Sequence, residues 1–204
     1  MRRVQREFEA INEHLTSRRE PLSDRVVENM LTGYACVDAL LAAGVDVFAM
    51  GNLKNLLELN TIILCGTDPA RREQYARHIQ ASERRFYEER AGGIQDVVEW
   101  YARHQNESAW HRAAGAYVRM LSKPQLFMEG NHRTGALLMS YILMGAGHPP
   151  FVLSPQNAAA YFDPSTVIKN TEKKSAAMLF RSPGITRRLA RLLLDHADRR
   201  YLLA

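Results

Sequence analysis

The sequence predicts an all-α protein, and three observations support that prediction. Apolar residues recur at steps of three and four through most of the 204 residues, which is the spacing of one buried helix face. Glycine and proline stop signals separate these periodic runs. One run, over residues 134–144, is apolar on nearly every side. A helix of that kind is typical of the centre of an all-α fold.

In the first half of the chain, the apolar spacing begins with a helix over residues 4–14, inside an N-terminal segment of residues 1–21. Ser23 or Asp24 is a suitable N-cap for the next helix. Gly66 and the pair Gly92-Gly93 are stop signals. The remaining helices of this half are predicted over residues 25–29, 32–41, 46–65 and 71–77.

In the second half, Lys123-Pro124 and the run from Gly147 to Pro150 end helices. Ser182-Pro183 fits an N-cap followed by proline at the first helical position, so a C-terminal helix is expected within residues 182–204. The other helices of this half are predicted over residues 94–104, 108–121 and 134–144.

The composition fits one globular domain spanning residues 1–204. Hydrophobic residues make up 46% and charged residues 24%, an ordinary globular balance that argues against disorder. The longest apolar stretch, residues 135–146, is shorter than the about 20 residues that a membrane span needs. With a charged N-terminus and no secretory signal pattern, we expect a cytoplasmic protein without a membrane partner. Cys36 and Cys65 are interpreted as buried thiols.

The charge balance points to a phosphate-bearing partner. The chain has 27 basic and 22 acidic residues, a formal net charge of +5 and a pI near 9.4. Such an excess suits a nucleic acid or a nucleotide without choosing between them. The arginines fall in doublets along the whole chain, and most alternate with acidic residues. We interpret them as solvated helix faces, which argues against nucleic acid as a partner.

The candidate binding and catalytic residues lie in the loop of residues 123–134, between two predicted helices. The first N–H groups of the following helix have no intrahelical partner and form an anion site at the positive end of its dipole. Gly130 lets the backbone approach a ligand, and Arg133 offers a planar fork for phosphate oxygens. Glu129 places a carboxylate where Mg²⁺ would bridge to that phosphate. The alternative is a loop whose polar side chains only cap the helix.

This loop resembles the signature of the Fic-domain (Fic/Doc) family. The family signature is His, any residue, Phe, any residue, Asp or Glu, Gly, Asn, Gly, Arg, two residues and Arg, placed between two helices of an all-α core. The likeness continues into the helix and the proline-rich turn that follow, and it covers residues 22–170. The residues that match at the right spacing are Phe127, Glu129, Gly130, Asn131 and Arg133.

The resemblance implies transfer of AMP from ATP to a Ser, Thr or Tyr hydroxyl of a target protein. In the family the acidic residue, here Glu129, binds Mg²⁺. Independently of the resemblance, Phe127 is set between polar neighbours and is expected to anchor the loop in the core. The phosphates lie on the backbone from Gly130 to His132 and on Arg133. The family's His accepts the proton of the attacking hydroxyl. The resemblance also places a target-docking flap, as a small β-hairpin, near residues 84–94. The alternative is that Phe86 and Tyr87 in this segment belong to the core.

The sequence departs from the signature at three positions. Gln125 stands where the family has its His, and an amide cannot take a proton from a hydroxyl. General-base help is worth roughly 10²–10⁴ in rate, so AMP transfer is expected to be weak or absent. His132 replaces the second Gly and is either a substitute base or a histidine held by a structural hydrogen bond. Ala136 replaces the second Arg, which removes a contact to the outer phosphates.

Residues 24–32 resemble the inhibitory segment of many family members, which makes Glu28 the inhibitory-type glutamate. In the family this glutamate pairs with the second Arg. Because Ala136 stands there, a surface carboxylate is the alternative interpretation of Glu28.

Three functions follow from these observations. The first is a Fic-like protein that keeps a phosphate or nucleotide site of the ATP–Mg²⁺ type and is a pseudoenzyme or an impaired or altered AMP-transferase. The second is an active transferase of AMP, phosphate or another phosphate-bearing group, with His132 as the base or with a different donor. The third is a nucleic-acid-binding helical module, motivated by the net charge alone. The target protein and a homodimeric state are left open.

Overall fold

The computed structural model describes residues 1–88 and 93–202, and 68% of it is helical. Within those residues the one strand-like pairing is an isolated bridge between Lys123 and Glu172. The all-α prediction is confirmed. No helix in the described part of the chain is long and apolar enough to cross a membrane.

Eleven α-helices lie within the described residues. They are α1 (Arg2–Arg6), α2 (Phe8–Glu13), α3 (Asp24–Ala42), α4 (Lys54–Cys65), α5 (Pro69–Gln74), α6 (Ala76–Phe86), α7 (Ile94–Arg103), α8 (Ala109–Leu121), α9 (Asn131–Gly145), α10 (Ala158–Lys169) and α11 (Ala176–Asp195). Short 3-10 helices cover Met50–Asn52 and Arg199–Tyr201.

Several boundaries in the first half differ from the sequence prediction. The helix expected over residues 4–14 is divided at Glu7 into α1 and α2. The two helices expected over residues 25–29 and 32–41 are one helix, α3, because its buried face continues without a break from Val27 to Val37. Ser23 is its N-cap, and its side chain accepts a hydrogen bond from the Val26 N–H.

Two other predicted helices of this half are also revised. In the run over residues 46–65, the α-helix begins at Lys54, after a 3-10 turn. It ends as predicted at Gly66, which has a φ of 75°. The helix expected over residues 71–77 is divided at Tyr75 into α5 and α6.

The C-terminal prediction was wrong about where the last helix begins. The N-cap of α11 is Ser175, whose side chain accepts from the Met178 N–H, and Pro183 lies inside the helix. The sequence analysis also missed α10, which contains Pro164. Pro183 suggested a boundary in the sequence. In both helices, burial of the apolar face against neighbouring helices outweighs the local cost of a proline, about 3 kcal/mol.

The predicted β-hairpin flap over residues 84–94 is helical at both ends. Helix α6 extends to Phe86, and α7 begins at Ile94 with Gly93 as its N-cap. Residues 89–92, which include the predicted turn at Gly92, lie outside the described residues.

The core surrounds α9, which packs against α3, α4 and α8. Its Leu137, Leu138 and Met139 are all fully buried, and each such side chain stabilises the fold by roughly 1.5–3 kcal/mol. Helix α3 approaches closely because Gly33 lacks a Cβ, which would lie 2.5 Å from Leu137 Cδ1. The predicted central helix is therefore central, and its N-terminus is rigidly placed.

Candidate functional site

Asn131, the first residue of α9, folds the loop before the helix onto itself. Its Oδ1 accepts a hydrogen bond from the Phe127 N–H at 2.9 Å, and its Nδ2 donates to the Phe127 carbonyl at 2.8 Å. The side chain is buried. The side-chain amide of Asn131 is therefore used by the loop. Its backbone N–H is one of those that a helix N-terminus leaves without an intrahelical partner.

Phe127 lies in the core, as an anchor of the loop would. Its ring stacks on Phe86 with centroids 5.6 Å apart, and 1% of the residue is exposed. Just before it, the Leu126 N–H donates to the Met120 carbonyl, which ties the loop to the end of α8. The loop is thus attached on one side to α6 and α8.

Gly130 and Asn60 attach the other side of the loop to α4. Gly130 has a φ of 75°, and a Cβ there would lie 2.9 Å from Asn60 Nδ2. That Nδ2 donates to the Glu129 carbonyl at 2.9 Å and to Thr134 Oγ1 at 3.0 Å. Sequence reasoning missed Asn60, although a polar residue inside the apolar run from Leu56 to Leu64 was an available signal.

Arg133 is held by the end of α4 and borders open space. Its Nη1 donates to the Ile63 carbonyl at 3.1 Å, which also accepts from Asn29 Nδ2 at 3.2 Å. Burial lowers the pKa of the guanidinium, and the carboxylates of Glu129 and Glu20 oppose that shift. Arginine keeps its charge in proteins, so a fixed cation lies beside the N-terminus of α9.

A cleft of about 400 Å³ opens at this N-terminus. It is lined by the start of α9, from Gly130 to Arg133, and by the N-terminal segment of residues 18–22. The remaining lining residues are Phe8, Val26 and Phe162. The cleft therefore brings Arg18 and Arg19 to the same space as Arg133.

Arg19 was interpreted from the sequence as a surface arginine, and the structure corrects that interpretation. Its Nη2 donates to Ser165 Oγ at 3.0 Å, and its guanidinium lies 5.3 Å above the Phe162 ring. Asn12 fixes its backbone through hydrogen bonds of 2.8 and 2.9 Å. Its Nε is buried and has no hydrogen-bond partner within the described residues. No local pattern could have shown these contacts.

His132 is enclosed by aromatic side chains. Its Nδ1 lies 2.9 Å from the Tyr117 hydroxyl, and its carbonyl accepts from the Tyr161 hydroxyl at 2.8 Å. Burial, together with the charges of Arg19, Lys169 and Arg133, lowers the pKa of the imidazole to about 3. The ring is neutral near pH 7 and weakly basic. This geometry favours the structurally bonded alternative, and the substitute base stays a hypothesis.

Gln125 takes part in the hydrogen bonds that hold the loop. Its Oε1 lies 3.3 Å from Asn131 Nδ2, and its carbonyl accepts from Arg85 Nε at 2.6 Å. An amide oxygen in this place accepts hydrogen bonds and has no usable basicity. Ala136, which stands at the position of the second signature Arg, lines a small pocket of about 50 Å³. The residues around this pocket are mainly apolar and include Met30 and Phe151.

Glu129 is an exposed carboxylate at the tip of the loop. Across the described residues there is no cluster of three or more His, Cys, Asp or Glu side chains that could hold a metal ion by themselves. Mg²⁺ is often held by one or two carboxylates together with substrate phosphates and water. Glu129 therefore fits Mg²⁺ as a single protein ligand in the company of a phosphate.

Glu28 lies on the exposed side of α3 and has no ion pair among the described residues. The neighbouring Asn29 faces the site instead, through its bond to the Ile63 carbonyl. This placement favours the surface-carboxylate interpretation of Glu28.

The start of α9 thus offers the Arg133 guanidinium and unpaired helix N–H groups to one cleft, which is the chemistry of an anion site. Arg18, Arg19 and Glu20 also line this cleft, and the guanidinium of Arg19 is engaged by α10. In comparisons with known proteins, no family model, no curated protein and no solved structure matches this chain.

Proposed function

We propose that this chain is a Fic-like protein that binds a phosphate-bearing ligand of the ATP–Mg²⁺ type at the N-terminus of α9. The observation that supports this most is the cleft that is lined by the start of α9, including Arg133, and by residues 18–22, among them Arg18, Arg19 and Glu20. Such N–H groups and guanidinium forks are the donors that proteins use for phosphate oxygens. The signature match from Phe127 to Arg133 supports the family assignment.

Glu129 is the proposed Mg²⁺ ligand. The ion would be held by this carboxylate together with the ligand's phosphates, and it would offset part of the phosphate charge. The chain's own contribution is rigidity, because Asn131 and Asn60 hold the loop through four hydrogen bonds of 2.8–3.0 Å. A preformed loop binds an anion without a further cost of ordering.

The proposed protein transfers AMP slowly or not at all. Gln125 lacks the basicity to take a hydroxyl proton, and His132 has its pKa lowered to about 3. The second signature arginine is replaced by Ala136 in an apolar setting. These three features together favour a pseudoenzyme or an impaired or altered transferase over a standard AMP-transferase.

A target protein is proposed to dock beside residues 84–94. Tyr87 and Met128 are large apolar side chains about half exposed there, at 47% and 48%. Arg85 lies next to Met128, with its Nη1 3.6 Å from the sulfur. Exposed apolar side chains on and beside the loop are suitable contacts for an incoming polypeptide.

Binding is tested by calorimetry with ATP, ADP and inorganic phosphate, each with and without Mg²⁺. We expect binding that Arg133→Gln weakens by about tenfold or more, because a charge-assisted bidentate contact is lost. The matched control is Arg71→Gln, an exposed arginine of α5 away from the cleft, and it should bind as the wild type does. Absence of binding by all three ligands would contradict the proposal.

Catalysis is tested by incubating lysate proteins with labelled ATP and following the label by mass spectrometry. We expect little transfer by the wild type and an increase of about 10²-fold or more with Gln125→His. Transfer of AMP or phosphate by the wild type that disappears in His132→Asn would instead support His132 as the base. Equal activity of the wild type and His132→Asn excludes that role.

A further inference from the structure

The net positive charge of this chain lies in its C-terminal part. Residues 1–164 contain 18 basic and 19 acidic residues, whereas residues 165–204 contain nine basic and three acidic ones. The last 40 residues therefore carry a net charge of +6 and the first 164 residues a net charge of −1, which together give +5. The arginine doublets are spread evenly along the chain, but the acidic residues that offset them are scarce after residue 164.

Helix α11 presents much of this charge to solvent. Its Arg181, Arg187, Arg188 and Arg191 are all exposed, and within the described residues the first three form no ion pair. Arg191 pairs with Asp195 at 2.9 Å. The apolar side of the helix is buried, with α8 and α10 as its neighbours. The outward side is thus a basic surface on which, among the described residues, one of the four arginines is paired with a carboxylate.

An aromatic ring lies at the N-terminal end of this surface, because Phe180 precedes all four arginines in α11. Phe180 is 85% exposed, and it shares a helix face with Arg187 and Arg191, since seven and 11 residues are close to two and three turns. Gly184 lies between them, and a Cβ at that position would meet no atom within 4 Å. The exposure of the ring and the open space at Gly184 leave Phe180 accessible to a partner. We call Phe180 and the four arginines the α11 face.

These side chains fit one class of partner best. Arginine forks bind backbone phosphates, and an exposed aromatic ring stacks on unpaired bases. A duplex would engage the arginines and leave Phe180 in water, because its bases are already stacked. An anionic membrane requires a broad apolar face, and that of α11 is buried. We propose that the α11 face binds single-stranded nucleic acid, with its arginines on the phosphates and Phe180 stacked on a base.

The test measures fluorescence anisotropy of a labelled mixed-sequence oligonucleotide, prepared as single-stranded RNA, single-stranded DNA and the corresponding duplexes. We expect the single strands to bind at low salt and to dissociate as salt rises. The double variant Arg187→Glu/Arg188→Glu should weaken binding by about tenfold or more and reduce the salt dependence. Phe180→Ala should weaken single-strand binding by about tenfold and leave duplex binding unchanged.

The matched control is Arg71→Glu/Arg77→Glu, the same change of charge at exposed arginines of α5 and α6. It should retain most of the affinity, and circular dichroism should show native helical content in all variants. The proposal is overturned if no single strand binds at low salt or if the control loses as much affinity as the α11 variant. It is also overturned if Phe180→Ala has no effect, or if vesicles of anionic lipid bind the protein and the oligonucleotides do not.

Discussion

At the scale of single residues, the candidate site depends on side chains that hold the loop rather than on those that would touch a ligand. Asn131 uses both ends of its amide on Phe127, and Gly130 makes room for Asn60. The signature residues Gly130 and Asn131 therefore have a structural task as well as the phosphate-binding one implied by the resemblance. Substitutions at these positions should affect stability and binding separately.

Gly130→Ala should lower the free energy of unfolding by about 2 kcal/mol. A left-handed backbone costs a non-glycine residue about 1–2 kcal/mol, and the new Cβ would lie 2.9 Å from Asn60 Nδ2. Urea denaturation measures the effect. Gly147→Ala is the matched control, since Gly147 has the same φ of 75° and open space around it. If the two variants lose equal stability, the packing against Asn60 contributes nothing.

His132 should make stability depend on pH. Because burial lowers the pKa of the folded imidazole from 6.5 to about 3, the unfolded chain binds the proton more readily. The contribution of His132 to the free energy of unfolding is therefore fully present above the pKa of the unfolded chain. It declines by about 1.4 kcal/mol per pH unit as the pH falls toward the pKa of the folded state. Unfolding free energies measured between about pH 6 and pH 4 should fall more steeply for the wild type than for His132→Asn. If the unfolding free energies of the wild type and of His132→Asn fall in parallel with pH, His132 is not the source of the pH dependence.

At the scale of secondary-structure elements, close approach between helices depends on glycines whose role is invisible in a helical pattern. Gly115 of α8 is an example, because a Cβ there would lie 1.8 Å from Trp100 Cη2 of α7. Trp100 itself stacks on His104 with ring centroids 4.0 Å apart. The indole therefore has little freedom to move away.

Gly115→Ala should destabilise the fold by about 1–3 kcal/mol, as overpacking of a core does. Gly184→Ala in α11 is its control, because no atom lies within 4 Å of the new Cβ. At this second position the better helix propensity of alanine should stabilise the protein by about 0.5–1 kcal/mol. Thermal unfolding of both variants measures the contrast, and a destabilised Gly184→Ala would show that α11 needs glycine there for its backbone.

At the scale of the whole molecule, the N-terminal segment is joined to the C-terminal third. Thr16 bonds Asp163 Oδ1 through its N–H at 3.1 Å and its hydroxyl at 2.9 Å. Arg19 reaches Ser165 and Phe162 on the same helix, α10. These contacts span more than 140 residues of sequence. They position residues 18–22, which line the cleft together with the start of α9.

Arg19→Ala should therefore reduce both stability and anion binding. We expect a loss of about 1–3 kcal/mol in the free energy of unfolding, since hydrogen bonds of a charged, partly buried group are removed. Arg18→Ala, at an exposed neighbour, should leave stability within about 0.5 kcal/mol of the wild type. Chemical denaturation compares the two variants. Equal stability of both would mean that the N-terminal segment is held without Arg19.

The sequence by itself determined the features that depend on neighbouring residues. Ser23 and Ser108 were readable as N-caps or helix starts, Gly66 as a stop, and residues 134–144 as a central helix. The loop of residues 123–134 also stood out as the start of a helix with an arginine and a carboxylate beside it. These features follow from local backbone hydrogen bonding and the helical repeat, which act within a few residues.

Only the tertiary structure decided the surroundings of those features. It brought Arg19 and Asn60 to the loop, enclosed His132 in aromatic rings and placed Phe180 beside exposed arginines. It also continued α10 and α11 through prolines that local rules treat as boundaries. The physical reason is that burial of apolar faces joins residues far apart in the chain, and its free energy exceeds local propensity.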